Sequence, residues 1–368
     1  MVRIPRLPEN RLTTRLAVRP AGLRRIAVAL PLVAIIGYAA FWFTVAGTVD
    51  KQIKAWIDRQ GAQGVEITTG DLQTGGFPFR ITVQIATPAA RWPGGSWSGP
   101  GLTLSGTPWD WRRINWQAPG DHRFEWTGRD GAARTAKLRA RHLEGWGEAG
   151  AGNLPRVEAW LTDGELTLPD GSITARGLLL QVSPPTAGDG QNAAGTDAAD
   201  LAPGPRLPIS LDAKGVVLPP KYATALGREI DRLALEMSLN GPLTAGPWPQ
   251  PALRWRDAGG ILQISQLGVS HGPLNLTGDG TMAIDGAGQP EGAFTARVTG
   301  FAETIEALRE RGIVDDRAAG AVQIVLGLFA KGPADGPRVL NVPLTLQDRT
   351  VSLGPVKLFR LKPVEWFR

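Results

Sequence analysis

No charged residue interrupts the chain between Arg25 and Asp50, and from Ile26 to Gly47 it forms an apolar run. In hydrocarbon a backbone must satisfy its own hydrogen bonds, so such a run has one stable form there, an α-helix. Roughly 20 residues of helix cross a bilayer. The flank in front of it is basic. Residues 1–25 hold Arg3, Arg6, Arg11, Arg15, Arg19, Arg24 and Arg25 against the single acid Glu9. That excess equals the whole formal net charge of +6, so residues 26–368 are neutral in sum. Arginine-rich flanks stay on the cytoplasmic side. The reading is therefore a single-pass, N-in membrane anchor, with 1–25 as a cytoplasmic leader and 26–47 as the span. The rest of the chain is expected outside the cytoplasm. The basic pI belongs to the leader and does not argue for a nucleic-acid partner.

Arg24 and Arg25 mark the inner boundary of the span. Tyr38, Phe41, Trp42 and Phe43 gather toward its far end, where amphipathic rings favour the interface. Pro31 falls in the first turns, where a helix tolerates it. The rival reading is a cleaved signal peptide. The run exceeds the usual core of about 7–15 residues, and Thr44-Val45-Ala46 is an imperfect cleavage site. Arg24-Arg25 lacks the rest of a twin-arginine signal. The chain has no cysteine, which excludes disulfides, thiolate metal ligands and a cysteine nucleophile.

Past the span, Val49, Ile53, Trp56 and Ile57 share one helical face, and Gly61 stands where a C-cap is expected. A separate amphipathic helix is predicted over Val49–Gln60, packed under a sheet or lying on the outer surface of the membrane. After Gly64 the period changes to two. Phe79, Ile81, Val83 and Ile85 alternate with Arg80, Thr82, Gln84 and Ala86, which predicts a strand with one apolar face. The same texture recurs to the C-terminus, for example at Leu102–Ser105, Val157–Thr162, Glu165–Leu168, Leu253–Trp255, Ile261–Val269 and Val322–Leu328. Asp163-Gly164, Asp170-Gly171 and Asp285-Gly286 supply the positive φ angles of hairpin turns. Helices are predicted at Tyr222–Ile230 and Ala302–Arg311. Sequential strands with short connections pair antiparallel. The fold class is mainly β: an anchor helix, then a large curved antiparallel sheet forming a groove or sandwich, with a few short helices. Ser183–Pro208, rich in Pro, Gly, Ala and Asp, reads as a flexible linker between halves at 49–182 and 209–368.

The constellations that carry chemistry are weak. Gly145-Trp146-Gly147-Glu148-Ala149-Gly150 fits GxGxxG, but Leu154-Pro155 follows where a nucleotide loop needs a helix. Gly94-Gly95-Ser96-Trp97-Ser98-Gly99 narrowly misses a nucleophile elbow and reads as a turn. Asp121, His122, Glu125, His142 and Glu144 read as surface polar residues on strands, because neighbours on a strand point to opposite faces. No catalytic residue, metal site or cofactor is expected. Six tryptophans, Trp92, Trp97, Trp109, Trp111, Trp116 and Trp126, fall within 35 residues. They suit either ordinary packing or a lipid- or sugar-lined groove. Nearby Arg112, Arg113, Arg123, Arg129 and Arg134 suit either solvent or anionic head groups.

Several short blocks occur in a set order. They are Gly75-Gly76-Phe77-Pro78-Phe79-Arg80, Leu218-Pro219-Pro220 with Leu226-Gly227, and Asn240-Gly241-Pro242. Then come Trp255-Arg256-Asp257-Ala258-Gly259-Gly260, His271-Gly272-Pro273-Leu274, Gln289-Pro290-Glu291-Gly292 and Leu353-Gly354-Pro355-Val356. With the anchor they resemble, over nearly the whole chain, the domain-of-unknown-function family numbered 2125 of Gram-negative envelopes. That family has no established activity, so the resemblance implies no catalytic residue. Taken with the anchor, it implies a bacterial inner-membrane protein with the bulk of the chain in the periplasm. In layout the chain is also similar to AsmA-like envelope proteins, which implies a sheet curved round an apolar groove and a link to lipid homeostasis.

The expected function is non-enzymatic lipid handling or envelope maintenance. Acyl chains of a phospholipid would lie on Phe79, Ile81, Val83 and Ile85, with Trp109 and Trp111. The alternative is an anchored scaffold that binds another envelope protein through strand edges or the tryptophan-rich segment.

Overall fold

The computed structural model describes residues 20–62, 64–128, 131–148, 156–183, 206–224, 226–244, 250–312, 338–353 and 356–364. Helix α1 (Pro20–Ala62) is continuous over 43 residues, about 65 Å at the ~1.5 Å rise of an α-helix. It contains a stretch apolar enough to cross a membrane. The break expected between span and amphipathic helix is absent. Nothing between Ala46 and Val49 stops a helix, since a lone Gly47 costs only about 1 kcal/mol. Thr44 and Thr48 donate back to the Ala40 and Thr44 carbonyls at 2.8 and 2.9 Å, so neither caps a new helix.

Eight strands follow: β1 (Glu66–Thr68), β2 (Leu72–Gly75), β3 (Ile81–Ala86), β4 (Ala89–Trp92), β5 (Gly95–Ser98), β6 (Gly101–Thr107), β7 (Asp110–Gln117) and β8 (Gly120–Thr127). They form two arms on one edge of the long strand β9 (Ala133–Glu148). One arm is β2-β3-β6-β7, joined to the C-terminal part of β9 through Arg113↔Glu148 to Gln117↔Glu144. The other is β1-β4-β5-β8, joined to its N-terminal part through Gly120↔Ala140 to Thr127↔Ala133. Thus β7 and β8 lie end to end along β9. The sheet splits at Ala118-Pro119-Gly120. Pro119 has no N–H for the ladder, and Gly120 takes φ +85°, a value that favours glycine.

The other edge of β9 leads into an antiparallel meander of β10 (Arg156–Leu168), β11 (Gly171–Val182), β12 (Arg206–Val217), β13 (Glu229–Asn240), β14 (Ile261–His271), β15 (Leu274–Ile284), β16 (Pro290–Thr299), β17 (Leu340–Gln347), β18 (Thr350–Leu353) and β19 (Val356–Arg360). The stretches flanking 184–205 are hydrogen-bonded neighbours in this sheet, from Thr174↔Val217 to Val182↔Ile209. Asp170-Gly171 and Asp285-Gly286 fall at hairpin turns. Asp163-Gly164 does not. It sits inside β10, where Asp163 takes φ +47° without breaking the ladder to β11, so the two short strands expected there are one.

Two helices cover the meander. Helix α3 (Phe301–Glu310) matches the expected helix and buries Phe301 and Ile305. Helix α2 (Gln250–Asp257) replaces the strand expected at Leu253–Trp255; Pro251 suits its first turn. The helix expected at Tyr222–Ile230 is a single 3₁₀ turn, Pro220–Tyr222. Thr224 stops it. Its hydroxyl donates to the Gly227 carbonyl at 2.8 Å and accepts from the Leu226 N–H at 3.1 Å, which offers the backbone an alternative to helix. The strand expected at Val322–Leu328 and most of Ser183–Pro208 lie outside the described residues.

Gly300 precedes α3 with φ +71°, and a Cβ there would run into the Pro273 carbonyl oxygen. Gly300→Ala therefore combines a left-handed penalty of about 1–2 kcal/mol with a backbone clash. The expected loss is about 2–4 kcal/mol, measured by urea unfolding of the detergent-solubilised protein.

Candidate functional site

The β2–β3 turn docks on α1. The Tyr38 hydroxyl donates to the Pro78 carbonyl, and the Trp42 indole N–H donates to the Arg80 carbonyl at 2.9 Å. Phe77 stands edge-on to Trp42, with ring centroids 5.5 Å apart, and stacks on Phe43 at 6.1 Å. Trp42, Ala46 and Ile81 form a buried cluster with Val45 against it. Trp42 is only 4% exposed, so it faces protein and is not part of the outer aromatic belt expected for it. Phe41 and Phe43 on either side are exposed. Successive helical residues turn by about 100°, so of three neighbouring rings one points at the sheet. Arg24 and Arg25 lie in α1, with side chains outside the described residues.

Beyond this clasp the two arms and α1 stand apart and enclose a cavity of about 930 Å³. That is near the top of the roughly 300–1,000 Å³ range of small-molecule sites. Its helical wall is Val45, Val49, Ile53, Trp56 and Ile57, which is the amphipathic face read from sequence. Ile81, Val83 and Ile85 of β3 form the opposite wall. The arms add Ile67, Ala90, Trp97, Leu102, Leu104 and Ile114. These residues share a face because strand side chains alternate; the register Val83↔Leu104 and Ile85↔Leu102 sets them side by side. The remaining wall is neutral except for Arg59.

Two of the expected groove residues stand elsewhere. Phe79 has the parity of Ile81 but precedes β3, in a turn closed by the Arg80 N–H to the Gly76 carbonyl at 3.1 Å, and it is 72% exposed. Trp109 is at the tip of the β6–β7 turn and 63% exposed. Trp111 lies in β7, with its side chain outside the described residues. Leu102 and Leu104 were legible as apolar strand residues. The segment 94–99, expected as a turn, instead contains strand β5 (Gly95–Ser98) with Trp97 on it, and Ile114 gave no such signal. The convergence of all four on the helix depends on the splitting of the sheet.

The polar constellations lie apart from the cavity wall. The Arg139 guanidinium makes two 2.8 Å hydrogen bonds to Asp121 and holds its carboxyl below the usual range. Lys221 and the Tyr222 hydroxyl do the same for Asp170. His122 corrects the surface reading. It is buried, donates from Nε2–H to the Ala118 carbonyl at 3.0 Å, and stacks on Trp97 at 6.0 Å. Asp121, its neighbour, points outward, as strand alternation requires. His142 is exposed. Among the described residues no three His, Asp or Glu side chains are grouped to hold a metal.

Comparison with curated proteins gives no match. A family model described as an uncharacterized protein conserved in bacteria, DUF2125, matches residues 42–362. The match starts at Trp42, the residue that fixes α1 to β3, and runs through both arms and the meander. The chain therefore belongs to the DUF2125 family of bacterial proteins.

Proposed function

We propose that this protein is a non-enzymatic lipid-handling protein, anchored by α1 in the bacterial inner membrane with its sheet in the periplasm. The observation that carries the reading is the apolar cavity between the helix and the arms. Exposing one methylene to water costs about 0.8 kcal/mol, so a long acyl chain outside the bilayer needs an apolar enclosure of this size. Arg59, the one charged side chain in the wall, suits a lipid phosphate at one end. The arginines of the leader support the N-in orientation.

Native mass spectrometry of the full-length protein, released from gentle detergent, tests this. The full chain is needed because α1 runs unbroken from the apolar run into the cavity wall. The expected result is a phospholipid mass near one per chain. Val83→Glu puts a charge into the wall, where an unpaired charge is costly, and is expected to abolish that occupancy. Retained lipid on a folded Val83→Glu protein refutes the site. A clean apo mass that takes up no added lipid, with a reproducible protein partner, shifts the reading to an envelope scaffold.

A further inference from the structure

Resting on the reading of α1 as a membrane anchor, we propose that the Phe77–Phe79 turn is itself buried in the outer leaflet. The protein then grips the bilayer with a second, non-helical element beside its helix. The argument is one of length. Arg25 is the last charge before the apolar run, and Tyr38 follows it by 13 residues, about 20 Å of helix. The hydrocarbon core is about 30 Å thick. Tyr38 is therefore still inside the hydrocarbon, roughly 10 Å short of its outer edge. Sliding the helix outward by one turn, about 5.4 Å, still leaves Tyr38 below that edge, and tilting it takes Tyr38 deeper. Yet Tyr38 is the residue whose hydroxyl reaches the Pro78 carbonyl, and its ring lies 6.3 Å from Phe77. The turn has to be where Tyr38 is.

The turn is suited to that depth. Phe77 is 49% exposed and stacks on exposed Phe43, with exposed Phe41 joined through Tyr38, and Phe79 in the same turn is 72% exposed. In water this leaves large apolar side chains uncovered, the kind of surface that marks a binding site. Backbone polar groups in lipid need partners. Here the Pro78 and Arg80 carbonyls accept from the Tyr38 and Trp42 side chains, and the Arg80 N–H donates to Gly76. Pro78 has no N–H to satisfy.

The surface beside the turn has interfacial character. Strand β6 runs antiparallel to β3 through Ile81↔Gly106, so the β6–β7 turn with exposed Trp109 extends past the start of β3 on the same side as the Phe77–Phe79 turn. Arg80 and Arg113 line a small recess there with Thr107 and Asp110. An aromatic ring with arginines is what a headgroup layer favours. The cavity begins on α1 at Thr44 and Val45, the level at which the hydrocarbon ends. An acyl chain leaving the outer leaflet then enters the cavity without crossing water.

The chain has no cysteine, so a spin label on Phe79→Cys is unique, and the exposure of Phe79 makes the substitution mild. The full-length protein is reconstituted in vesicles of phosphatidylcholine and phosphatidylglycerol. Collision rates are measured with oxygen, which partitions into lipid, and with a water-soluble nickel chelate. Val33→Cys on the helix is the membrane reference, and Tyr222→Cys is the aqueous one. Position 79 is expected to give an oxygen-to-nickel ratio several-fold above position 222 and close to that at position 33. A ratio at 79 equal to that at 222, with position 33 shielded from nickel, overturns the proposal and leaves the anchor intact. Nickel access at position 33 overturns the anchor reading and the proposal together.

Discussion

Trp255→Ala is expected to destabilise the C-terminal part of the sheet by about 3–5 kcal/mol, the range for removing a buried tryptophan. Trp255 is the buried residue of α2. Its indole N–H donates to the Asn240 carbonyl at 3.0 Å, the last residue of β13. A Cβ at Gly260 would enter the indole ring, and one at Gly241 would lie 3.2 Å from its nitrogen. The ring therefore fills the space left by two glycines and staples the β13 end to the β14 start, where Asn240 pairs with Ile261. Alanine leaves a void and removes the hydrogen bond to the Asn240 carbonyl. Trp255→Phe keeps most of the ring and loses the hydrogen bond, so its cost is expected nearer 1 kcal/mol. Hydrogen exchange locates the damage. Each strand of the meander pairs only with its neighbours, so protection should fall around Asn240 and Ile261 and persist in β3 and β6. Equal loss in both regions would show that the arms and the meander unfold as one unit.

That staple also explains the ordered sequence blocks. Asn240-Gly241-Pro242 and Trp255 to Gly260 are two halves of one packing device. Gly75 to Arg80 is the clasp that receives Tyr38 and Trp42. His271-Gly272 forms the β14–β15 turn, tied by the Gly272 N–H to Asp231 at 2.9 Å and by His271 to Thr224 at 3.3 Å. These short signatures secure the fold at its ends and turns, which is why they pointed to a family and to no reaction.

What the sequence made legible was facing. Alternation set Ile81, Val83 and Ile85 on one side of β3, and helical spacing set Val49, Ile53, Trp56 and Ile57 on one side of α1. The structure turns these two faces toward a common cavity. What periodicity does not carry is where an element begins and what it meets. Phe79 keeps the parity of β3, but Pro78 and the Gly76–Arg80 hydrogen bond hold it in a turn. Leu253–Trp255 alternates like a strand, yet its three residues are one turn of α2, because three residues fit either period. Trp42 looked like its aromatic neighbours until a loop some 40 residues downstream singled it out. The division into two arms depends on non-local pairing, β3 with β6 and β5 with β8, and only Pro119-Gly120 hinted at it locally.

Trp42→Ala is expected to release α1 from the first arm, at a cost of about 3–5 kcal/mol. The indole contributes in three ways. It packs with Ala46 and Ile81 in the buried cluster, it receives the edge of Phe77, and its N–H satisfies the Arg80 carbonyl at 2.9 Å. Removing it strips these from one place, while the Tyr38–Pro78 hydrogen bond and the contacts of Phe77 with Tyr38 and Phe43 remain to hold the turn. Trp42 does not line the cavity, yet α1 is one of the cavity's walls. Lipid occupancy in native mass spectra should therefore fall with Trp42→Ala, although no lining residue has changed. Limited proteolysis should show the partner effect, faster cleavage within Thr44–Ala62. Trp42→Phe keeps ring packing and loses the hydrogen bond, and is expected to retain most of the lipid. Full occupancy with a released helix would mean that the arms hold the chain alone and that α1 serves only as a tether. Loss of both together would tie anchoring to ligand retention through one side chain. Any force that pulled the sheet away from α1 would then also open the cavity.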